Sequence, residues 1–408
     1  MEKKLLNFIF LLLFVLCLRL SLFYFQKPQL KEGQQIYLNT TLLQDTNTGL
    51  GTQTFSVQDD NGNSFFIKTG LDTIYYYGDS LKIVGNLHIK LLNKNKIFVL
   101  DKPSISINQD NQNPALAGLS FIRQKIIRVF QSSLPGNASS LMLGIVFGIK
   151  KDFSQNFLTG LKNVGVMHVI AASGMNITIA GGFIFYIFAN FLKRQKAILI
   201  SAIAIVFYAF LAGFQPSVIR ASIMAIIAFS AQGLGRQRYS EYALFLTAFI
   251  MLIVWPKFLF DVGFQLSFMA TLGILILPSI LSLGKNNSFL GDLLTTVSAQ
   301  VFTFPILIAN FGVYSLWSVI VNVLVLWTVP ILMILGATAS IFSFVFEPLA
   351  GSILYFCLPL LVYFEETVKY FSSKGGVVAV GNFPWQFSFS YYLFLLSLAV
   401  FIYKKRAK

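Results

Sequence analysis

Residues 164–182, VGVMHVIAASGMNITIAGG, place a histidine, a serine and a run of small residues in a stretch that is otherwise apolar. A seam of polar and small residues at membrane depth indicates close helix packing, a water-filled cavity, or both. Three similar stretches follow: LAGFQPSVIRASIMA (211–225), FDVGFQLSFMATLG (260–273) and SAQVFTFPILIANFGVYS (298–315). Together the four stretches predict the lining of one intramembrane site.

The composition predicts a polytopic α-helical membrane protein. Of the 408 residues, 56% are hydrophobic and 12% are charged, and the mean hydropathy is +0.71. Ten apolar runs approach the length of about 20 residues that a helix needs to cross a bilayer. They lie at 5–26, 164–191, 197–214, 217–234, 240–254, 258–281, 289–311, 314–346, 348–371 and 386–403. We expect the first run to be a retained anchor helix, because no small-residue cleavage site follows it.

Three segments depart from the simple spanning pattern. LMLGIVFGI (141–149) is too short to span, which predicts a re-entrant or interfacial piece buried against protein. The 314–346 run is over-long and contains Pro330, which predicts a broken helix. The segment 116–131 places Arg123, Lys125 and Arg128 among apolar residues, as an interfacial amphipathic helix would.

The polar block between the first run and the others predicts a small β domain. Its short alternating segments lie at 36–43, 54–59, 64–69, 80–90 and 96–107, with a turn signal, DDNG, at 59–62. Five short strands suit a small barrel such as an OB fold. The predicted domains are an anchor helix (1–27), an extracytoplasmic OB-like domain (28–112) and a helical channel domain (113–408).

The net charge of +15 is unevenly placed. Residues 28–110 hold seven lysines and eight acidic residues, so this block is close to neutral. Basic clusters flank the apolar runs at Lys3–Lys4, Lys193–Lys196, Arg236–Arg238, Lys285 and Lys404–Lys408. By the positive-inside rule these clusters predict cytoplasmic loops, with both termini in the cytoplasm and the β block outside. The alternative is that the charges attract a polyanion.

Enzyme motifs are absent from the sequence. The two histidines are His88 and His168, and no HxHxD, HExxH or GxxxxGK[ST] pattern occurs. We therefore expect no metal, no cofactor and no enzymatic activity. A Ser–His pair is disfavoured, since Ser173 follows His168 by five residues and would point about 140° away on an α-helix. A helix break at Gly174 would remove that objection.

Arg220 is the clearest charged residue within a predicted span. Its burial costs about 2.5–3.5 kcal/mol on insertion scales, so it should face a partner or water. Pro216 and Ser217 open its helix, and the N-terminal amides with Arg220 would attract phosphate. An internal ion pair with Asp261 or Asp292 is an equal alternative. The amides in other apolar runs are expected to bond between helices or to line a cavity: Gln265, Gln300, Asn310 and Asn322.

In their order and spacing, five motifs resemble the competence domain of the ComEC-type DNA-uptake proteins. They are MLGIVFGIKKDFSQNF (142–157), GVMHVIAASGMNITIAGG (165–182), LAGFQPSVIRASIMA (211–225), FLFDVGFQLSFMATLGIL (258–275) and AQVFTFPILIANFGVYSLWSVIVNVL (299–324). We call the stretches at 165–182, 211–225 and 258–275 the first, second and third motifs. The residues that match the family are His168, Ser173 and Gly174 in the first motif, Phe214, Pro216, Ser217 and Arg220 in the second, and Asp261, Gly263, Phe264, Gln265, Ser267 and Phe268 in the third. GDSLKIVGNL (78–87) looks like the family's OB-type domain. Asn176 replaces a histidine that is usual in the family, and asparagine cannot titrate near neutral pH.

The resemblance implies an inner-membrane channel that passes single-stranded DNA into the cytoplasm during natural transformation. The expected partners are the DNA strand, the lipid bilayer, an external DNA receptor, a cytoplasmic motor or strand-binding protein, and a separate nuclease. The nuclease is expected to be separate because many relatives carry a C-terminal metallo-β-lactamase-like domain, whereas this sequence ends at KKRAK. Without the resemblance, a secondary transporter for a small anionic solute ranks first, and an intramembrane hydrolase is a further alternative.

Overall fold

The structure, a computed structural model, describes residues 2–28, 30–43, 45–49, 51–59, 61–92, 95–108, 113–170, 174–233, 240–281, 288–380 and 384–406. The chain forms two compact units. The first comprises residues 1–129, 150–152 and 249–259, and the second comprises residues 130–149, 153–248 and 260–408.

The first unit contains helix α1 (Glu2–Phe25) and a seven-stranded sheet that forms a half-barrel. The strands are β1 (Gln35–Thr41), β2 (Asn47–Gly49), β3 (Thr52–Gln58), β4 (Ser64–Gly70), β5 (Ser80–Leu92), β6 (Asn95–Asp101) and β7 (Ser104–Ile107). Their order is β1-β5-β6-β4-β3-β2, and β7 also pairs with β5. The β4–β6 pair is parallel and the other pairs are antiparallel.

Alternating apolar residues build the core of this sheet, because successive side chains of a strand point to opposite faces. In β3 and β4, Phe55, Val57, Phe65 and Ile67 are all buried. The core also takes side chains from the other strands and loops: Ile36, Leu38, Leu42, Tyr75, Leu81, Ile83, Leu87 and Leu100. The expectation of a small β domain is therefore confirmed.

The turn predicted between the second and third segments is confirmed. The Asp59 carboxylate accepts a hydrogen bond of 2.6 Å from the Asn63 backbone N–H, and Gly62 adopts a φ of +74° that favours glycine. The predicted strand at 96–107 is instead two strands, β6 and β7. Lys102 adopts a φ of +47° between them and is followed by Pro103, which cannot donate to a strand ladder.

In helix α2 (Pro114–Ser133), Lys125 is half-buried and Arg128 is exposed, whereas Arg123 is buried within the protein; the interfacial position of this helix stays a prediction. Arg123 is only 3% exposed, and its Nη2 forms an ion pair with the carboxylate of Asp45. The guanidinium carbon lies 4.3 Å from the centre of the Tyr77 ring. Burial raises the pKa of the Tyr77 phenol above its ordinary value. The helical spacing alone did not reveal the β-domain carboxylate that accepts this charge.

The rest of the described chain is largely helical. Its helices are α3 (Gly136–Phe147), α4 (Gln155–Asn163), α5 (Gly174–Ala189), α6 (Arg194–Leu211), α7 (Pro216–Gly233), α8 (Ser240–Val254), α9 (Val262–Leu281), α10 (Ser288–Phe311), α11 (Ser318–Leu326), α12 (Thr328–Val345), α13 (Glu347–Ser373) and α14 (Trp385–Arg406). Two short strands, β8 (Val313–Ser315) and β9 (Val377–Ala379), pair antiparallel.

Five described segments are long and apolar enough to cross a membrane. They are Met167–Ala189, Arg194–Leu211, Leu293–Phe311, Thr328–Val345 and Glu347–Ser373. Shorter apolar helices occur at Leu12–Phe25, Gly136–Phe147, Pro216–Ala231, Ser240–Val254 and Val262–Pro278. The count of ten spans is therefore not confirmed. An apolar run buried in protein has the same composition as one that faces lipid, so hydropathy alone does not determine the number of spans.

Helix α3 is the short piece that the sequence predicts to be buried against protein. Residues 138–147 are all buried, and the helix ends at Gly148, which adopts a φ of +70°. A helix of 12 residues is about 18 Å long, which is shorter than a bilayer core of about 30 Å. Its ends must therefore find hydrogen-bond partners within the protein.

Prolines mark two further irregularities in the helical unit. The predicted break in the 314–346 run is confirmed, since α11 ends at Leu326 and α12 begins at Thr328, two residues before Pro330. In α10, Pro305 has no N–H to donate to the Val301 carbonyl four residues earlier. The hydroxyl of Tyr391 on α14 donates to that carbonyl at 3.1 Å.

The close approach of α9 and α10 at Gly273 can be tested by substitution. A Cβ added at Gly273 would lie 2.5 Å from the Ser298 carbonyl oxygen and 2.9 Å from the Phe302 ring. We expect Gly273→Ala to lower the free energy of unfolding by about 1–3 kcal/mol, because the backbone of α10 must shift. Thermal unfolding of the purified protein in detergent measures the change.

Gly182→Ala is the matched control for this substitution. Gly182 also lies within a helix, α5, and a Cβ there would meet nothing within 4 Å. Because alanine is the better helix former, this change should leave the stability equal or slightly higher. Equal destabilisation by both substitutions would contradict the close approach of α9 and α10.

Candidate functional site

The C-terminal carbonyl groups of α3 bring three other elements of the helical unit together. The Asn176 side chain of α5 donates to the Ile145 carbonyl at 2.7 Å, and the Tyr208 hydroxyl of α6 donates to the Val146 carbonyl at 2.6 Å. Asn176 is 1% exposed and also hydrogen-bonds to the Tyr208 side chain. Asn176 is therefore a buried donor that satisfies the end of a helix.

The chain that leaves α3 completes this capping. The N–H of Gly148 donates to the Gly144 carbonyl at 2.8 Å, and the N–H of Ile149 donates to the Leu143 carbonyl at 3.4 Å. The side chain of Gln215, one residue before α7, donates to the Gly148 carbonyl at 3.3 Å. The first and second motifs thus meet at the end of α3.

The second motif begins with a strained turn. Phe214 adopts a φ of +53°, which is uncommon for a residue with a side chain, and its ring lies 4.4 Å from that of Phe210. Pro216 is the first residue of α7, where its missing N–H has no consequence. Ser217 follows it and is partly buried. This turn directs α7 so that Arg220, one turn later, points into the helical unit.

Arg220 is 7% exposed and contacts residues of the first and third motifs. Its Nη1 donates to the hydroxyl of Thr271 on α9, and the guanidinium carbon lies 6.0 Å from the Phe268 ring. Its Nε is buried and has no hydrogen-bond partner among the residues that the structure describes. The second and third motifs are therefore joined through this arginine.

Gly174, the first residue of α5, lies directly against the same guanidinium group. A Cβ at this position would lie 2.5 Å from Nη2 of Arg220 and 3.4 Å from the Cβ of Ala221. The absence of a side chain lets Arg220 approach the beginning of α5. Ser173, the neighbouring motif residue, lies outside the described residues.

Asp261 does not pair with Arg220. Its carboxylate accepts the Phe264 N–H at 2.7 Å and so caps the start of α9. Thr271, which does bond to Arg220, is ten residues further along, or about 15 Å on a helix. Among the side chains that the structure describes, no carboxylate forms an ion pair with Arg220. The Asp292 side chain is outside that set.

The other residues of the third motif lie along α9. Gly263 is exposed, and the Gln265 N–H donates to the Asp261 carbonyl at 3.0 Å. The Ser267 carbonyl accepts the Thr271 hydroxyl at 2.9 Å, which orients that hydroxyl towards Arg220. Ser267 therefore acts through its backbone rather than through its side chain.

His168 lies in a 3₁₀ turn, Met167–Val169, that precedes α5. The residue as a whole is exposed, whereas its neighbours Val166 and Ile170 are fully buried. The imidazole hydrogen-bonds to the backbone of Gly165. This bond holds the His168 ring against the turn that precedes α5.

Gln300 belongs to a separate polar cluster. It donates to the Ser318 hydroxyl at 3.0 Å and accepts the Tyr314 hydroxyl at 2.9 Å. Gln300 thus bonds between α10 and α11, in agreement with the expected role of these amides between helices. The amide of Asn322 lies 3.5 Å from the same Ser318 hydroxyl, which is on its own helix, and the amide of Asn310 donates at 2.9 Å to the Ile306 carbonyl, also of its own helix.

Sequence reasoning singled out Arg220 but missed its partner Thr271 and the capping donors Tyr208 and Gln215. Thr271 and Gln215 lie inside quoted motifs, whereas Tyr208 is one tyrosine within an apolar helix. Among the described residues, no three His, Cys, Asp or Glu side chains are grouped closely enough to hold a metal ion. The site that the structure assembles is therefore one arginine among amide, hydroxyl and glycine neighbours.

Comparison with protein-family models matches residues 145–405 to the Competence protein family. The chain belongs to this family. The family resemblance predicted from the ordered motifs is thereby confirmed, and the matched region includes α5, α7 and α9 with the Arg220 site.

Two proteins are similar to this competence-family chain over more than half of its length. ComE operon protein 3 of Bacillus subtilis (strain 168) is 28% identical over 243 residues, which are 59% of this chain and 31% of that protein. An uncharacterized protein of Aquifex aeolicus (strain VF5) is 27% identical over 249 residues, which are 60% of this chain and 56% of that protein. The alignments thus span about a third and about half of these relatives. No solved structure matches the chain.

The capping role of Asn176 predicts a loss of stability when its amide is removed. Asn176→Ala would leave the buried Ile145 carbonyl without its donor, so we expect the free energy of unfolding to fall by about 1–3 kcal/mol. Thermal unfolding in detergent measures the change.

Asn190→Ala is the control for this prediction. The Asn190 amide also donates to a carbonyl, that of Tyr186 at 3.0 Å, but it is exposed at the end of α5. Water replaces that donor, so the effect should stay within about 0.5 kcal/mol. An Asn176→Ala protein as stable as the Asn190→Ala protein would refute the capping role.

Proposed function

We propose that the protein is an inner-membrane channel that passes single-stranded DNA into the cytoplasm during DNA uptake. The observation that carries this proposal is Arg220, a buried positive charge with no described carboxylate partner. Such a charge is expensive within a membrane domain unless a negative ligand or water reaches it. A nucleic-acid backbone would supply negative charge. Membership of the Competence protein family and the similarity to ComE operon protein 3 support the same conclusion.

The strand would pass along the seam formed by the first three motifs. Double-stranded DNA is too wide for an ordinary helical-bundle pore, so one strand must be separated before entry. His168 lies at the start of this seam, in the turn before α5, and Arg220 lies beside α5. We propose that the protein itself performs no chemistry on the strand.

The β domain is proposed to be an OB-type cap on the extracytoplasmic side. The antiparallel β3–β4 pair, the parallel β4–β6 pair and the antiparallel pairing of β5 with β6 and β1 support a five-stranded barrel of this kind. OB folds bind single strands by stacking and through basic grooves. Because its charge is close to neutral, a cap that positions the strand fits this domain better than a tight DNA binder does.

The remaining partners follow from what transport requires. The sequence contains no P-loop, so energy would come from a cytoplasmic motor or strand-binding protein. An external receptor would deliver DNA, and a separate nuclease would degrade the other strand. The basic clusters support a multi-pass arrangement in which both termini are cytoplasmic.

A secondary transporter for a small anionic solute is the second candidate. The break between α11 and α12, beside the Gln300 and Asn322 cluster, favours it, since broken helices line the binding sites of many transporters. This candidate predicts saturable flux of a small anion that does not depend on DNA.

Entry of end-labelled DNA into cells with and without the protein tests the proposed function. We expect labelled DNA to reach the cytoplasm only when the protein is present, and as one strand. Purified protein in liposomes provides the second arm, with a small anion as the competing cargo. Equal DNA entry without the protein would reject the channel and favour the transporter.

Arg220→Ala should lower DNA entry about tenfold or more while leaving the protein level unchanged. A charged hydrogen bond is worth about 1.5–3 kcal/mol, which corresponds to about tenfold to a hundredfold. Arg128→Ala is the control, because Arg128 is exposed on α2 and the substitution removes the same charge. Normal entry in the Arg220→Ala cells would exclude Arg220 from the path.

A further inference from the structure

Two buried side-chain oxygens of the helical unit have no hydrogen-bond partner among the described residues, and we call them the unpartnered oxygens. They are Oγ of Ser315 in β8 and Oδ1 of Asn322 in α11, and the two residues are 6% and 3% exposed. Within the described part of the chain, Asn322 Oδ1 is the one buried side-chain carbonyl oxygen that lacks a donor. Buried polar atoms are normally paired, so these two require an explanation.

Ser318, the first residue of α11, connects the unpartnered oxygens. Its hydroxyl accepts a hydrogen bond from the Gln300 amide of α10 at 3.0 Å, and the Asn322 amide nitrogen lies 3.5 Å from it. Gly165 contacts both serines, since a Cβ on this glycine would lie 2.8 Å from the Ser318 hydroxyl and 3.4 Å from the Cβ of Ser315. The two oxygens therefore belong to one polar cluster around Ser318.

This cluster offers lone pairs rather than N–H groups. An amide oxygen only accepts hydrogen bonds, and a hydroxyl oxygen has two lone pairs. Gln300 Oε1 accepts one hydrogen bond, from the Tyr314 hydroxyl at 2.9 Å, and keeps a second lone pair. The amide nitrogens of Gln300 and Asn322 are both directed at Ser318. A ligand of this cluster must therefore be a cation or a hydrogen-bond donor.

The chemistry of these oxygens indicates the class of ion. Hard cations prefer oxygen ligands, and uncharged carbonyl oxygens bind Na⁺ or K⁺ in channels and transporters. Divalent ions normally use carboxylates, and the described residues contain no group of three His, Cys, Asp or Glu side chains that could hold one. Helix α11 is also one half of the broken helix, and helix breaks accompany Na⁺ sites in transporters.

We propose that this cluster binds one alkali-metal ion through Asn322 Oδ1, Ser315 Oγ and Gln300 Oε1. The ion supplies the positive charge that the unpartnered oxygens lack, and it connects α10, β8 and α11. Because Gly165 packs against the two serines, the ion also stabilises the turn that carries His168. The inference goes beyond the proposed function, and it applies equally to a channel and to a transporter.

Thermal unfolding and equilibrium binding test the proposal. Full-length protein in detergent is heated in NaCl, KCl and N-methylglucamine chloride at equal ionic strength. We expect NaCl or KCl to raise the unfolding midpoint saturably by about 2 °C or more, because an ion that binds only the folded state stabilises it. Binding of ²²Na⁺ or ⁸⁶Rb⁺ should saturate. Equal midpoints in the three salts, without saturable binding, would overturn the proposal and assign the oxygens to buried water.

Asn322→Asp distinguishes an ion site from an amide with only a structural role. Aspartate keeps the oxygen and adds a negative charge, so the apparent affinity for the ion should rise about tenfold or more. Without an ion a buried carboxylate is costly, so the midpoint in N-methylglucamine chloride should fall below that of the original protein. Asn190→Asp is the matched control, because it adds the same charge at an exposed residue. A loss of stability in Asn322→Asp that is equal in every salt would overturn the site.

Removal of each unpartnered oxygen assigns the binding to this cluster. Ser315→Ala and Asn322→Ala should each weaken ion binding about tenfold or more and remove the salt-dependent rise of the midpoint. Ser352→Ala is the control, since it removes an exposed hydroxyl of α13. Size-exclusion profiles identify any variant that fails to fold. An unchanged rise of the midpoint in folded Asn322→Ala protein would overturn the site, and no DNA is present, so that result leaves the proposed channel standing.

Discussion

Helix α3 ends inside the helical unit, and lipid offers no hydrogen-bond donor to its terminal carbonyl groups. The protein resolves this with donors from three elements: Asn176 on α5, Tyr208 on α6 and Gln215 before α7. A buried carbonyl group without a hydrogen-bond donor lowers the stability of the fold. These three hydrogen bonds therefore restrict where the three elements can lie. The position of α5 and α7 relative to one another, and hence of Gly174 and Arg220, depends on them.

The same constraint recurs wherever the backbone is interrupted. Pro305 removes a donor from α10, and the hydroxyl of Tyr391 bonds to the carbonyl that is left free. Tyr392 donates in the same way to the adjacent Phe302 carbonyl at 2.8 Å. Irregular backbone in a membrane domain is stable only where protein groups satisfy it, so each break requires a polar side chain on a neighbouring helix.

Arg220 departs from this pattern, because its buried Nε has no hydrogen-bond partner among the described residues. Asp261, the nearest candidate counter-charge by sequence, is used to cap α9, and the hydroxyl that does reach Arg220 is neutral. The arginine is thus held in place by Thr271 and Gly174 without being neutralised. This buried charge without a described counter-charge is the observation on which the proposed channel rests.

The sequence alone determined the membrane class, the β domain with its turn at Asp59–Asn63, the short buried helix, the break before Pro330 and the family. Each of these depends on local hydropathy, on turn chemistry or on ordered motifs, which are written along the chain. It also identified Arg220 but left open what the arginine contacts. Only the tertiary structure decided that Asn176 caps a carbonyl 31 residues away, that Arg220 bonds to Thr271 51 residues away, and that Arg123 is buried beside Asp45. These partners are brought together by helix packing and by the need to satisfy buried polar groups, neither of which is visible in the order of residues.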